Sequence, residues 1–167
     1  MALSFEIGAI RPPSEANSLL IRCTRSCPWN KCKFCNSYKD VPFEMRTLEE
    51  IKRDIAVAKM LRDRIMEITI KAGQSGGMQK VVGMVLKDPP NESFRNVAMW
   101  ILAGGENIFL QDANSLVMKT EDLGQVLFTL KTAFPKVKRI TSYARSLTPA
   151  KKKTLELIQL RQAGLSR

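Results

Sequence analysis

The sequence predicts an α/β domain built on a parallel sheet. Short apolar runs that end in polar loops alternate with longer amphipathic stretches, and this strand–loop–helix unit recurs three times. Polar residues cluster just after the strands' C-terminal ends, where barrels and open α/β sheets place their active sites. At 167 residues, 44% hydrophobic and 26% charged, the chain has enough apolar material for one domain with a core.

The first strand is Ser18-Leu19-Leu20-Ile21-Arg22, short and apolar, running straight into a cysteine-rich loop. Thr47 followed by Glu50 forms a capping-box pattern, and Leu48, Ile51, Ile55 and Ala58 recur at helical spacing, predicting a helix from about Thr47 to Met66. Gly73, Gly76 and Gly77 break the chain before a helical stretch to Leu86. After the turn Asp88-Pro89-Pro90-Asn91, a helix from Glu92 to Leu102 stops at Gly104-Gly105. The second strand is Asn107–Gln111, followed by the polar run Asp112-Ala113-Asn114-Ser115 and a helix from Thr120 to Phe134, ended by Pro135. The third strand is Arg139–Tyr143, a single helix is expected from Leu147 to Ala163, and a fourth strand should begin at Leu165.

Composition narrows the chemistry. The chain has no histidine, which excludes a Ser-His-Asp triad, a Cys-His pair and any His-ligated metal. No basic leader with an apolar run opens the sequence, and no apolar stretch approaches the ~20 residues that span a bilayer, so a cytoplasmic location without membrane association is expected. The net charge is +11, and the segment 125–167 supplies most of it, with ten basic residues against the single acid Glu156. That segment is either a nucleic-acid surface or a solvated helix face; it lacks interleaved stacking aromatics, which favours the second.

All four cysteines, Cys23, Cys27, Cys32 and Cys35, fall within thirteen residues, separated by three, four and two residues. In a reducing compartment such clusters are more often ligands or redox groups than disulfides. The spacing is too cramped for two zinc knuckles and suits an iron–sulfur cluster held by one loop. Zinc and free or redox-active thiols remain open. If only Cys27, Cys32 and Cys35 bind, three irons of a cube are held and the fourth is left for a small molecule.

The segments LLIRCTRSCPWNKCKFCNSYK, FLQDANSLVMKTEDL and RITSYARS resemble the radical S-adenosylmethionine (SAM) superfamily, in the branch whose barrels open with a strand leading into a CPWN-type loop. The resemblance runs from about Ile10 to Arg167 and implies the N-terminal half of a partial (β/α)6 TIM-like barrel with parallel strands. The whole chain, residues 1–167, would be an incomplete core domain of about three βα units, truncated at the start of the fourth strand. Alone it should be inactive, with an unpaired sheet edge and a half-covered flank of helices that favour aggregation.

The resemblance also implies a 4Fe–4S cluster on Cys27, Cys32 and Cys35, with the open iron chelating the amino and carboxylate groups of SAM. Reduction by a donor such as flavodoxin or ferredoxin would cleave SAM to methionine and a 5′-deoxyadenosyl radical, which takes hydrogen from an unidentified small-molecule or RNA substrate. Phe34 stands where the family packs an aromatic near the adenine, although it could equally cover the cluster alone.

Two departures from the family pattern matter. The commonest spacing is Cys-x3-Cys-x2-Cys, whereas four residues separate Cys27 from Cys32; the x2 pair Cys32/Cys35 fixes the register and leaves Cys23 to the strand end. The family's Gly-Gly-Glu motif follows the second strand, but Gly104-Gly105-Glu106 precedes it and reads as a helix cap. Asp112 and Asn114 become the candidates for the SAM ammonium, with a turn and helix cap as the alternative. Ser142, Tyr143 and Arg145, at the end of the third strand, could meet the methionyl carboxylate or the substrate; the arginine could equally pair with a carboxylate outside this chain. The competing functions are a zinc-stapled basic RNA-binding module without catalytic activity and a redox-sensing or inert interaction domain.

Overall fold

A computed structural model describes residues 3–71 and 77–166. In chain order it contains β1 (Leu19–Arg22), β2 (Thr24–Arg25), β3 (Glu44–Met45), α1 (Leu48–Lys71), α2 (Gly77–Lys87), α3 (Glu92–Leu102), β4 (Asn107–Gln111), α4 (Thr120–Ala133), β5 (Arg139–Ser142), α5 (Leu147–Lys151) and α6 (Thr154–Gln162). Short 3-10 turns occupy Pro13–Glu15 and Ser115–Val117. The three expected strands form one parallel sheet in the order β1-β4-β5, Leu19 opposite Ile108 and Ile108 opposite Ile140. The sheet is open and no barrel is closed. Gly73 and Gly76 lie outside the described residues.

Strand alternation sorts the sheet into two faces. Leu19, Ile21, Ile108, Leu110 and Ile140 join one apolar cluster with Ile51, Ile55 and Leu61 of α1, Val97 and Ile101 of α3, and Leu123, Val126 and Leu130 of α4. The opposite parity meets the chain's first residues instead. Gln111 is fully buried; its amide donates to the carbonyls of Gly8 and Ile10 and accepts the Gly8 N–H at 2.8 Å. Lower on the same face, buried Glu15 accepts from Arg139, Thr141 and Ser18 at 2.6–3.1 Å. The N-terminal segment is thus a strap across the face that carries no helices.

Three start and stop signals act where they were expected, whereas α1 runs on to Lys71, past the expected end at Met66. Thr47 and Glu50 form a reciprocal box at the start of α1, with the Thr47 N–H on Glu50 Oε2 at 2.8 Å and the Glu50 N–H on Thr47 Oγ1 at 3.2 Å. Asn91 caps α3 by accepting the Phe94 N–H at 2.9 Å. Gly104 and Gly105 take φ of 98° and 70°, and their N–H groups bond the Ile101 and Trp100 carbonyls at 3.0 and 2.9 Å, a Schellman stop that confirms the helix-cap reading of Gly-Gly-Glu.

The structure corrects three expectations. The third strand ends at Ser142, leaving Tyr143 in the loop. The single helix expected from Leu147 to Ala163 is split at Lys152-Lys153, both extended at ψ near 146–148°. The break lets Glu156 accept the Lys153 N–H and the Thr120 hydroxyl, while Lys152 Nζ reaches the Met118 carbonyl and Thr120 Oγ1 at 3.1 Å. Tertiary bonds to the start of α4 thereby outweigh helix continuity.

The third correction concerns the sheet edges. Buried Asn96 of α3 donates to the Ser18 carbonyl and accepts the Leu20 N–H, each at 3.0 Å, and Arg46 donates to the Arg22 carbonyl at 2.8 Å, so side chains close the β1 edge. At the β5 edge Leu165 pairs in parallel with Ile140, where the fourth strand was expected, and the Ser166 N–H donates to the Ile140 carbonyl at 2.7 Å. Exposed apolar side chains remain on the last three helices: Phe128 on α4, Leu147 on α5, and Leu155 and Ile158 on α6. No helix among the described residues is long and apolar enough to cross a membrane.

Replacing Asn96 with alanine strands one buried donor and one buried acceptor, at a cost of about 1–3 kcal/mol each. We expect Asn96→Ala to lower the urea midpoint clearly with an unchanged slope; an unaltered midpoint would show that water satisfies this edge.

Candidate cysteine loop and strand-end site

The cysteine loop leaves the sheet through a small antiparallel ribbon that the sequence did not announce. Strand β2 pairs with β3, Thr24 opposite Met45 and Arg25 opposite Glu44, and the loop 26–43 hangs from its far end. The base is anchored by polar contacts. Ser26 Oγ donates to the Val41 carbonyl at 2.8 Å, the Val41 N–H to the Tyr38 carbonyl at 3.1 Å, and the Asn30 amide also bonds the Tyr38 carbonyl. Tyr38 is buried, and burial together with the neighbouring Asp112 carboxylate raises its phenol's pKa, keeping it protonated. Between the anchors, the middle of the loop is held more lightly. The Cys35 N–H meets the Cys32 carbonyl at 3.4 Å, and Lys39 Nζ meets the same carbonyl at 3.0 Å.

The four thiols divide into two groups. Cys23 is fully buried beneath the ribbon, and desolvation pushes its thiol up to about 12. Cys27, Cys32 and Cys35 are partly exposed, and none of the four is in a disulfide. The three loop thiols are not drawn together: among the described residues, no three Cys, Asp or Glu side chains are grouped to hold a metal ion. Phe34 is 89% exposed and packs on nothing substantial.

The strand-end candidates occupy distinct settings. Asp112, joined to Gln111 by a cis peptide, is fully buried, and its Oδ2 accepts from Arg22 Nε at 2.7 Å. Its Oδ1 has no hydrogen-bond partner among the described residues and abuts Gly8, where an added Cβ would lie 2.0 Å away. Asn114 is buried as well; its Nδ2 donates to Thr148 Oγ1 at 2.7 Å, while Oδ1 has no partner. It does not cap the following turn with its side chain. Ser142 Oγ donates to the Tyr143 carbonyl at 2.9 Å, and half-exposed Tyr143 packs edge-to-face on Phe109. The Arg145 guanidinium lies 4.1 Å from the centre of the Trp29 ring, bringing the end of β5 against the cysteine loop.

A network of ion pairs that sequence reasoning missed lies under the loop. Glu6 receives Arg22 and Arg25, each at 2.7 Å; Arg25 also holds Glu44 and Glu50, and buried Arg46 holds Asp54 at 2.6 Å. The Arg25 hydrogen bond, with Arg46 and Arg22 nearby, keeps the Glu6 carboxyl below its usual range. The available signal was the mix of charges, since Arg22 and Arg46 flank the cysteines and Arg25 lies among them while Glu6, Glu44 and Glu50 sit outside them. A cavity of about 880 Å³ lies between the N-terminal strap, the returning limb of the loop and the start of α3, lined by Gly8, Arg22, Ser37, Tyr38 and Ser93 among others.

No family model matches the chain, and no curated protein or solved structure matches it either.

Much of the basic excess is used internally. Arg139 holds Glu15, Lys138 holds Glu106, and Lys131, Lys152 and Arg161 bond backbone carbonyls. This uses several of the cations counted in the segment 125–167.

Two measurements check this geometry. In native protein an alkylating reagent at neutral pH should consume three thiols quickly and the fourth, Cys23, only after denaturation; four fast thiols would contradict its burial. The second concerns Glu50, whose carboxyl falls from 4.5 to about 2, chiefly through the Thr47 backbone N–H and then through Arg25. Because the folded pKa lies below the unfolded one, this contribution is whole above about pH 4.5 and is lost as the pH falls toward 2. Glu50→Gln should therefore lose stability at neutral pH and show a flatter acid limb in pH-dependent unfolding.

Proposed function

We propose that this chain is a radical SAM core of the partial-barrel type, of which β1, β4 and β5 with their helices are about three βα units. Cys27, Cys32 and Cys35 are its cluster ligands. The observation that supports this most directly is the division of the thiols: three partly exposed on one loop beyond the C-terminal end of a parallel strand, with the fourth buried. The donor set suits the group, since thiolates are the ligands of iron–sulfur clusters and no imidazole competes for the role. The arrangement also allows it. The ties that hold the loop's base involve residues 26, 30, 38 and 41, so the segment bearing Cys32 and Cys35 can draw its thiols together without breaking them.

When bound, a 4Fe–4S cluster and SAM would supply the radical chemistry, fed by a flavodoxin- or ferredoxin-type donor and spent on a small-molecule or RNA substrate. The chain's own residues position and enclose. Asp112 gives Oδ2 to Arg22 and its Oδ1 is packed against Gly8, so Asn114 Oδ1, buried and without a donor among the described residues, is the better acceptor for an ammonium group. Arg22 and Gln111 fix the strap that keeps water from the strand ends. Phe34, wholly outside the core, is free to fold over a bound group.

Anaerobic reconstitution with iron and sulfide should give a broad absorption near the visible–ultraviolet boundary. Cys27→Ala, Cys32→Ala and Cys35→Ala should each fall to the level of the blank, and Cys23→Ala should keep the colour. Colour that survives Cys32→Ala would refute the ligand assignment. Stoichiometric zinc in the protein as purified, with RNA binding that weakens steeply with salt, would favour the zinc-stapled RNA-binding module.

A further inference from the structure

We infer that Arg145 is a positioning residue: by stacking on Trp29 it fixes the cysteine-bearing limb of the loop and ties together the loops after β1, β4 and β5. The inference rests on the cysteine-loop reading above. Trp29 lies between Cys27 and Cys32, in the stretch that must set where those two thiols point. Lys31, also within 5.4 Å of the ring centre, belongs to the same loop and cannot anchor it to anything else. Arg145 comes from beyond β5, 4.1 Å from the ring centre, and no carboxylate pairs with it among the described residues.

Arg145 is itself held in place. Its carbonyl accepts the Thr148 N–H at 2.8 Å in the first turn of α5. Thr148 Oγ1 in turn accepts from Asn114, two residues beyond Asp112 in the loop after β4. A continuous path therefore runs from buried Asn114, through Thr148 and the backbone of Arg145, to the indole of Trp29. A guanidinium suits this place because it stacks flat on an aromatic ring while keeping its edge hydrated. The two limbs of the loop are tied to each other through Ser26 to Val41 and Asn30 to Tyr38, so without Arg145 the limb bearing Cys27 and Cys32 keeps those ties and loses its contact with the loop after β5.

The test compares wild-type protein with Arg145→Gln and Arg145→Lys. Hydrogen exchange of the peptide covering residues 27–36 should quicken about two- to fivefold in Arg145→Gln, in line with loss of one exposed cation–π contact, and return only part of the way in Arg145→Lys, whose ammonium keeps the charge but cannot stack. Acrylamide should quench the tryptophan fluorescence of Arg145→Gln more strongly, through Trp29, because Trp100 is only 3% exposed. The thermal midpoint should stay unchanged. Unaltered exchange in Arg145→Gln, or a rise spread evenly over the whole protein, would overturn the inference. Iron retention against a chelator after reconstitution separates the two claims. Faster iron loss in Arg145→Gln supports both; wild-type protein that takes up no iron, with exchange still quickened in the variant, removes the cofactor reading and leaves the latch standing.

Discussion

The carboxylate of Asp112 is fully buried at the end of β4, and the architecture of the cysteine end follows from the need to neutralise it. A carboxylate withdrawn from water survives as an ion only with a cation and hydrogen bonds close by. Arg22, four residues along the neighbouring strand and in register with Gln111, supplies the cation. Its other arm takes Glu6 of the strap, and Glu6 in turn gathers Arg25 of the ribbon. One buried charge thus links β1, β4, the strap and the ribbon into a single polar unit. Removing Arg22 would leave the buried Asp112 carboxylate without its cation, a penalty of about 3–5 kcal/mol, far more than an exposed pair contributes, whereas removing Asp112 would leave Arg22 its bond to Glu6.

The same unit explains why the strap runs where it does. Gly8 passes so close to Asp112 that a methyl group in place of its hydrogen would fall 2.0 Å from Oδ1. Only a glycine allows the backbone to approach while Gln111 bonds it on both sides. The strap therefore shields the charge from water and strengthens its pairing with Arg22, since electrostatic interactions gain as the local dielectric falls. Above this rigid floor the loop is free to differ. Its base is pinned to the ribbon and to Tyr38, and the residues carrying Cys32 and Cys35 are lightly held. The polar unit beneath is densely bonded, and the part of the loop between its anchors makes fewer bonds.

Elements whose signals are local were legible in the sequence. Helix α1 starts at its capping box and α3 stops at its two glycines; β4 coincides with the apolar run Asn107–Gln111. Burial of Cys23 could be foreseen because it continues the alternation of Leu19 and Ile21 toward the helices. What the sequence hid depends on distant partners. The break at Lys152 exists because Glu156 and Lys152 find Thr120, over thirty residues away. The ribbon is two residues on each side, too short to produce a periodic pattern. Asn96 looked like one polar residue on an amphipathic helix, and nothing in its neighbours shows that it replaces a strand partner. Asp112 and Asn114 were found as polar residues after a strand, but their different commitments, one to Arg22 and one to Thr148, were not visible.

The two edges of the sheet are not equivalent, and the difference gives the fold a direction. At β1, the Asn96 amide occupies the Leu20 N–H and the Ser18 carbonyl while Arg46 occupies the Arg22 carbonyl, so no further strand can pair there without displacing buried side chains. At β5 the backbone already accepts a parallel partner at Leu165. A strand added in the Leu165 register would extend the sheet beyond β5. The two edges therefore differ in kind: β1 is closed by buried side chains, and β5 stays open to a parallel partner beyond the single bridge at Leu165.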